Sequence, residues 1–163
     1  MTAIQILFAA PVLTHPDGSP RHPDIVDLLN RNDRKIYTKR ASGKMLAVHD
    51  SGYPPPMKEE ELVGENFEQF ALMLPRVDGV VLEMTTHHPR LVELLRLAVA
   101  ENLDVLVLRQ RNPFEFPALD LSRFGTLVVS GIYAQRSDLE IFIDAFTARV
   151  MARRTARIRT RSA

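Results

Sequence analysis

Apolar residues in this chain follow two rhythms. Short dense runs at Ile4 to Ala9, Lys35 to Lys39, Val77 to Thr85, Asp104 to Arg109 and Gly125 to Ser130 predict strands. Between them apolar residues recur every three or four positions, the spacing of a helix with one buried face. Pro23 to Asn32 is the first such stretch, with Ile25, Val26, Leu28 and Leu29 on its stripe and a proline suited to a first turn. Glu59 to Leu74 follows, its acidic start favourable to the helix dipole. Pro89 to Asn102 carries Leu91, Leu94, Leu95 and Ala98. The last helix is expected to open on the capping-box pattern Ser137-Asp138-Leu139-Glu140 and to run through Ile141, Ile143, Ala145, Phe146 and Val150.

Three stretches lack both rhythms. Thr14 to Pro23 and Asn112 to Phe124 read as irregular connections. Ala41 to Lys58, with Gly43, Gly52 and the triplet Pro54-Pro55-Pro56, reads as a long loop of the kind that often serves as a functional lid. Strands alternating with helices predict an α/β fold. The expectation is a single doubly wound, flavodoxin-like or Rossmann-like domain over residues 1–152, with a parallel five-stranded sheet in the order 2-1-3-4-5. A basic tail over 153–163 completes the chain.

Composition narrows the classes. With 163 residues, 45% apolar and 25% charged, the chain can bury a substantial core. A net charge of +1 gives no global field to attract nucleic acid, so no nucleic-acid polymer is expected as a partner. The absence of cysteine excludes disulfides, thiolate metal sites and a cysteine nucleophile, and fits a reducing cytoplasm. No apolar run has the length of a membrane span, so no membrane is expected. Met1-Thr-Ala-Ile-Gln-Ile-Leu-Phe lacks the basic flank of a signal peptide and reads as the opening strand. The tail carries Arg153, Arg154, Arg157, Arg159 and Arg161 without an acid. It reads as a solvated, fraying helix end, with a phosphate patch as the rival reading.

In parallel sheets ligands sit beyond the carboxyl ends of the strands. The segment Glu83 to Arg90 lies there. Glu83 ends a buried strand, where desolvation raises a carboxyl pKa; it is either catalytic or a structural acceptor of backbone N–H groups. Glu93 lies off the apolar stripe of its helix, as a nucleophile or as a solvated partner of Arg90 or Arg96. His87 and His88 are loop histidines or substrate contacts. Their adjacent side chains diverge, so no metal site is expected. Ala9, Ala10 and Pro11 suit a tight turn that lets a ligand approach the backbone, or simply permit close helix–sheet packing. His49, Asp50 and Tyr53 stand in the long loop and either cover a bound ligand or have no role. Arg109 and Arg111 follow the fourth strand and either hold a phosphate or are ordinary surface charge.

Several of these stretches together resemble a known family. Ile6-Leu-Phe-Ala-Ala-Pro11, Val77-Asp-Gly-Val-Val-Leu-Glu-Met-Thr85 and Leu91 to Leu108 are similar to the nucleoside 2-deoxyribosyltransferase-like superfamily, nearest its 2'-deoxynucleoside 5'-phosphate N-hydrolase branch. Arg123-Phe124 and the helix after Tyr133 resemble its C-terminal part. The resemblance implies cleavage or transfer at the N-glycosidic bond of a nucleoside or nucleotide, no cofactor, and a homodimer or larger homo-oligomer. It also implies two carboxylates. The family's catalytic glutamate, counted without gaps, falls on Leu94; a one-residue deletion in the His87–Pro89 loop brings Glu93 into its place. The family's aspartate falls on Phe70, with Glu68 and Glu65 the nearest acids upstream. His87-His88-Pro89-Arg90 stands where the family has glycines. Glu93, Glu83 and Glu68 are therefore the candidate catalytic carboxylates. The rival class is a catalytically dead relative that binds a nucleotide or serves as an assembly subunit. A receiver-type module is discounted, because Ala9-Ala10-Pro11 offers no acidic cluster.

Overall fold

The computed structural model describes residues 4–9, 22–29, 34–39, 45–47, 67–85, 89–111 and 120–162. In chain order the elements are β1 (Ile4–Ala9), α1 (His22–Leu29), β2 (Arg34–Lys39), β3 (Met45–Ala47), α2 (Phe67–Met73), β4 (Gly79–Glu83), α3 (Pro89–Ala100), β5 (Asp104–Gln110), β6 (Val128–Tyr133) and α4 (Arg136–Ser162). Short 3-10 turns at Leu74–Arg76 and Ser122–Leu127 lead into β4 and β6. The arrangement is α/β and Rossmann-like.

The sheet has six strands in the order β3-β2-β1-β4-β5-β6, one more than the five expected, with the extra strand at the edge beside β2. The added strand is β3, inside the stretch expected as loop, and it pairs antiparallel with β2 through Tyr37↔Ala47 and Lys39↔Met45. All other pairings are parallel. β4 is buried along its whole length and β5 from Asp104 to Leu108, as expected of central parallel strands covered on both faces.

α1 packs with α4, and α2 with α3. Leu91, Leu94, Leu95 and Ala98 of α3 are fully buried, at the spacing of one helix face. Each such leucine contributes about 1.5–3 kcal/mol relative to an exposed one. Just past the end of α3 at Ala100, Asn102 takes a φ of 59°, the left-handed conformation that asparagine tolerates better than most residues. The N–H of Leu103 then returns to the carbonyl of Ala98 at 3.1 Å. Among the described residues, no helix is long and apolar enough to cross a membrane.

Among the boundaries that differ from expectation, three stand out. β6 starts at Val128, not Gly125, because Gly125 takes φ 70° inside the preceding turn, outside the strand region. α4 starts at Arg136, so Ser137 is not its cap. Instead the Asp138 carboxylate reaches back to accept from the N–H groups of Ala134 (2.9 Å) and Gln135 (3.2 Å). These bonds hold its pKa below the ordinary value. Finally, residues 153–162 continue α4 without a break, where a separate fraying tail was expected.

The tail's arginines hold the amino edge of the sheet. Asp104 opens β5, is only 2% exposed, and meets Arg149 Nε at 3.0 Å and Arg153 NH1 at 2.9 Å. Asp78, before β4, accepts from the backbone N–H of Gln5 at 2.8 Å and faces Arg154 at 3.5 Å. At the opposite edge Arg136 bridges Asp24, at 2.9 Å, and Asp27 of α1.

Candidate active site

The register of the central strands fixes which side chains meet at the carboxyl edge. Glu83 pairs with Leu108, and Leu108 with Gly131. Side chains alternate along a strand, so Gly79, Val81 and Glu83 share a face with Gly131 and Tyr133. That face carries α4. A Cβ on Gly79 would touch Val150 at 3.0 Å, and one on Gly131 would overlap the Phe142 ring at 2.6 Å. Gly131 thus lets α4 lie directly on β6, which places Tyr133 beside Glu83.

Glu83 is 1% exposed and Tyr133 fully buried. The Tyr133 hydroxyl donates to Glu83 Oε2, and the backbone N–H of Thr85 donates to Oε1 at 2.6 Å. The Thr85 hydroxyl oxygen accepts from the N–H of Gln110 at 2.7 Å, tying the ends of β4 and β5 together. Burial pushes the Glu83 carboxyl up from its ordinary 4.5 to about 7. The hydrogen bonds from Thr85 and Tyr133 and the positive charge of Arg109 oppose the rise without cancelling it. Near neutral pH this group therefore holds a proton about half the time, the condition for moving a proton in either direction.

The other expected residues divide into three groups. Arg109 and Arg111 lie at the end of β5, half-buried and exposed respectively; the N–H of Arg111 donates to the carbonyl of Tyr133 at 2.7 Å. Ala9 ends β1, buried and paired with Leu82. Glu68 is exposed in the first turn of α2, and Glu93 is exposed on α3, where Arg90 meets it at 3.2 Å. No hydrogen bond or ion pair among the described residues joins Glu68, Glu83 and Glu93 to one another. Ala10, Pro11, His49, Asp50, Tyr53, His87 and His88 lie outside the described residues.

Phe70 and Leu94, the positions on which the resembling family's carboxylates fall, are fully buried in the core. Tyr133 is the participant that sequence reasoning missed. Its signal was the alternation that continues past Ser130, with Gly131 and Tyr133 buried and Ile132 exposed. No protein-family model matches this chain, and no curated protein sequence matches it.

Proposed function

We propose that this protein cleaves or transfers at the N-glycosidic bond of a nucleoside or nucleoside monophosphate at the carboxyl edge of its sheet. The observation that carries the reading is Glu83, a buried strand-end carboxyl raised to about 7 and held by Tyr133. Departure of a base needs a proton, and an acid of that strength supplies one near neutral pH. In this reading Glu83 is the proton donor and Glu93 the carboxylate that attacks the anomeric carbon or directs water to it. Arg109 and Arg111 offer the cations a monophosphate needs. Glu68, Ala9, Ala10, Pro11, His49, Asp50, Tyr53, His87 and His88 remain candidates for completing the pocket. No cofactor enters the scheme. A homodimer or larger homo-oligomer is part of the same proposal on the resemblance alone, and a cytoplasmic location on the absence of cysteine.

A second reading has its own observation. Apolar, fully buried Phe70 and Leu94 at the aligned carboxylate positions favour a relative that binds a nucleotide without turning it over. Chromatography of purified protein incubated with a panel of ribo- and deoxynucleosides and their monophosphates separates the two. Release of free base is expected. Glu93→Gln is expected to abolish it, and Glu83→Gln to slow it by about 10²–10⁴-fold while removing the kinetic pKa near neutrality. Saturable binding of one nucleotide with no base released would replace the first reading by the second.

A further inference from the structure

At the end of the molecule opposite Glu83, the last turns of α4 and the end of α3 enclose an open groove. Asn102, Arg153, Ala156, Arg157 and Thr160 line it, and its cavity volume is about 390 Å³, within the range of small-ligand sites. Its charge is one-sided. From Ala145 to Ala163 the chain has six arginines, no lysine, no aspartate and no glutamate. The structure partly neutralises this run. Arg149 and Arg153 share Asp104, and Arg154 faces Asp78. Arg157 meets no carboxylate among the described residues; its NH2 donates to the Asn102 carbonyl at 3.0 Å.

Arg153 and Arg157 stand one turn apart on the groove side of the helix, a spacing at which like charges repel. Both are oriented from the same point, because Arg153 NH2 also lies 3.4 Å from the Asn102 carbonyl and 3.5 Å from its Oδ1. A guanidinium has five N–H donors, and Arg157 uses one of them here. The Thr160 hydroxyl is bonded to the Ala156 carbonyl at 2.9 Å and adds an oxygen rather than a free donor. Two guanidiniums that share the Asn102 carbonyl, with no carboxylate at Arg157 among the described residues, match a compact multivalent anion with several acceptor oxygens.

We propose that this groove binds the phosphoryl group of a small phosphorylated molecule, as a site separate from the carboxyl edge and independent of the activity proposed there.

The test uses the full chain and inorganic pyrophosphate, followed by calorimetry and by the rise in melting temperature. Saturable binding that weakens with added salt is expected. Arg157→Gln should weaken it about tenfold or more, as for loss of a charge-assisted hydrogen bond. Arg159→Gln removes the same charge two residues away, at a position that does not line the groove, and should leave affinity within about twofold. Equal losses in the two variants would mean diffuse attraction to a basic helix and would overturn the site. So would no binding of pyrophosphate at millimolar concentration. A short single-stranded oligonucleotide forms the second arm. If it binds and pyrophosphate does not displace it, the surface is an extended polyanion track and the groove proposal fails. Displacement by pyrophosphate with the Arg157 dependence intact supports it.

Discussion

The two edges of the sheet each bury a carboxyl group, and they treat it in opposite ways. Asp104, at the amino edge, is 2% exposed and faces two arginines at 3.0 and 2.9 Å. Glu83, at the carboxyl edge, is 1% exposed and receives a phenol and a backbone N–H, with Arg109 acting only through its field. Equal burial thus leads to an ion pair at one end and to a proton retained near neutral pH at the other. The difference lies in partners, not in depth. A buried carboxyl met by well-placed cations forms an ion pair, and one met mainly by neutral donors carries its burial as a raised pKa.

The sharpest way to break this contrast is to remove the cations. Arg149→Met with Arg153→Met strands the Asp104 carboxylate and should cost about 3–5 kcal/mol in urea unfolding. Adding Asp104→Asn to that double variant should recover much of the loss. A loss below about 1 kcal/mol would show that the two edges do not differ as described.

The next effect is one of pH. The unfolded Glu83 ionises near 4.5, whereas the folded one keeps its proton to about 7. Between those values Glu83 holds its proton in the native state and not in the unfolded one, so its own contribution to stability is greatest below pH 4.5 and falls as pH rises to about 7. The Glu83 contribution to that fall is about 3 kcal/mol. Glu83→Gln is neutral throughout and should flatten this component, read as the difference between the two proteins' stabilities at each pH. Parallel curves would remove the titrating group from the account.

The smallest effect sharpens the comparison. Tyr133→Phe deletes the donor to Glu83 Oε2 and should destabilise by about 1–3 kcal/mol. The hydroxyl helps hold the Glu83 pKa down, so its removal should move the carboxyl titration upward, observable by infrared or NMR. A downward shift would mean that the phenol serves the protonated form instead.

Local patterns were legible in the sequence, and long-range ones were not. Ile4 to Ala9 and the α3 stripe depend on neighbours within two turns, and both stand where the pattern puts them. Met45–Ala47 is too short to alternate visibly and is a strand only because β2 offers an edge. Glu83 was legible as a strand-end carboxyl. Its partner is fifty residues away in sequence, so nothing local could pair them. The arginine tail misled in the same way. Its acids are Asp78 before β4 and Asp104 at the start of β5, 76 residues from Arg154 and 49 from Arg153, and they turn an expected frayed end into a continued helix. The positions where the resembling family carries carboxylates proved to be core, because Phe70 and Leu94 fall on the apolar stripes of their helices.

Gly131 has no side chain, and the Phe142 ring occupies the space one would fill. The ring bears on the strand two residues before Tyr133, on the same face. Even an added methyl group would act there as a wedge under α4, at the fulcrum nearest the proton-holding pair. The first thing to move would be the grip of the phenol on Glu83, ahead of the distant core at Phe146 and Val150. The geometry of this site is therefore governed by an atom that is missing, at a residue that takes no part in its chemistry.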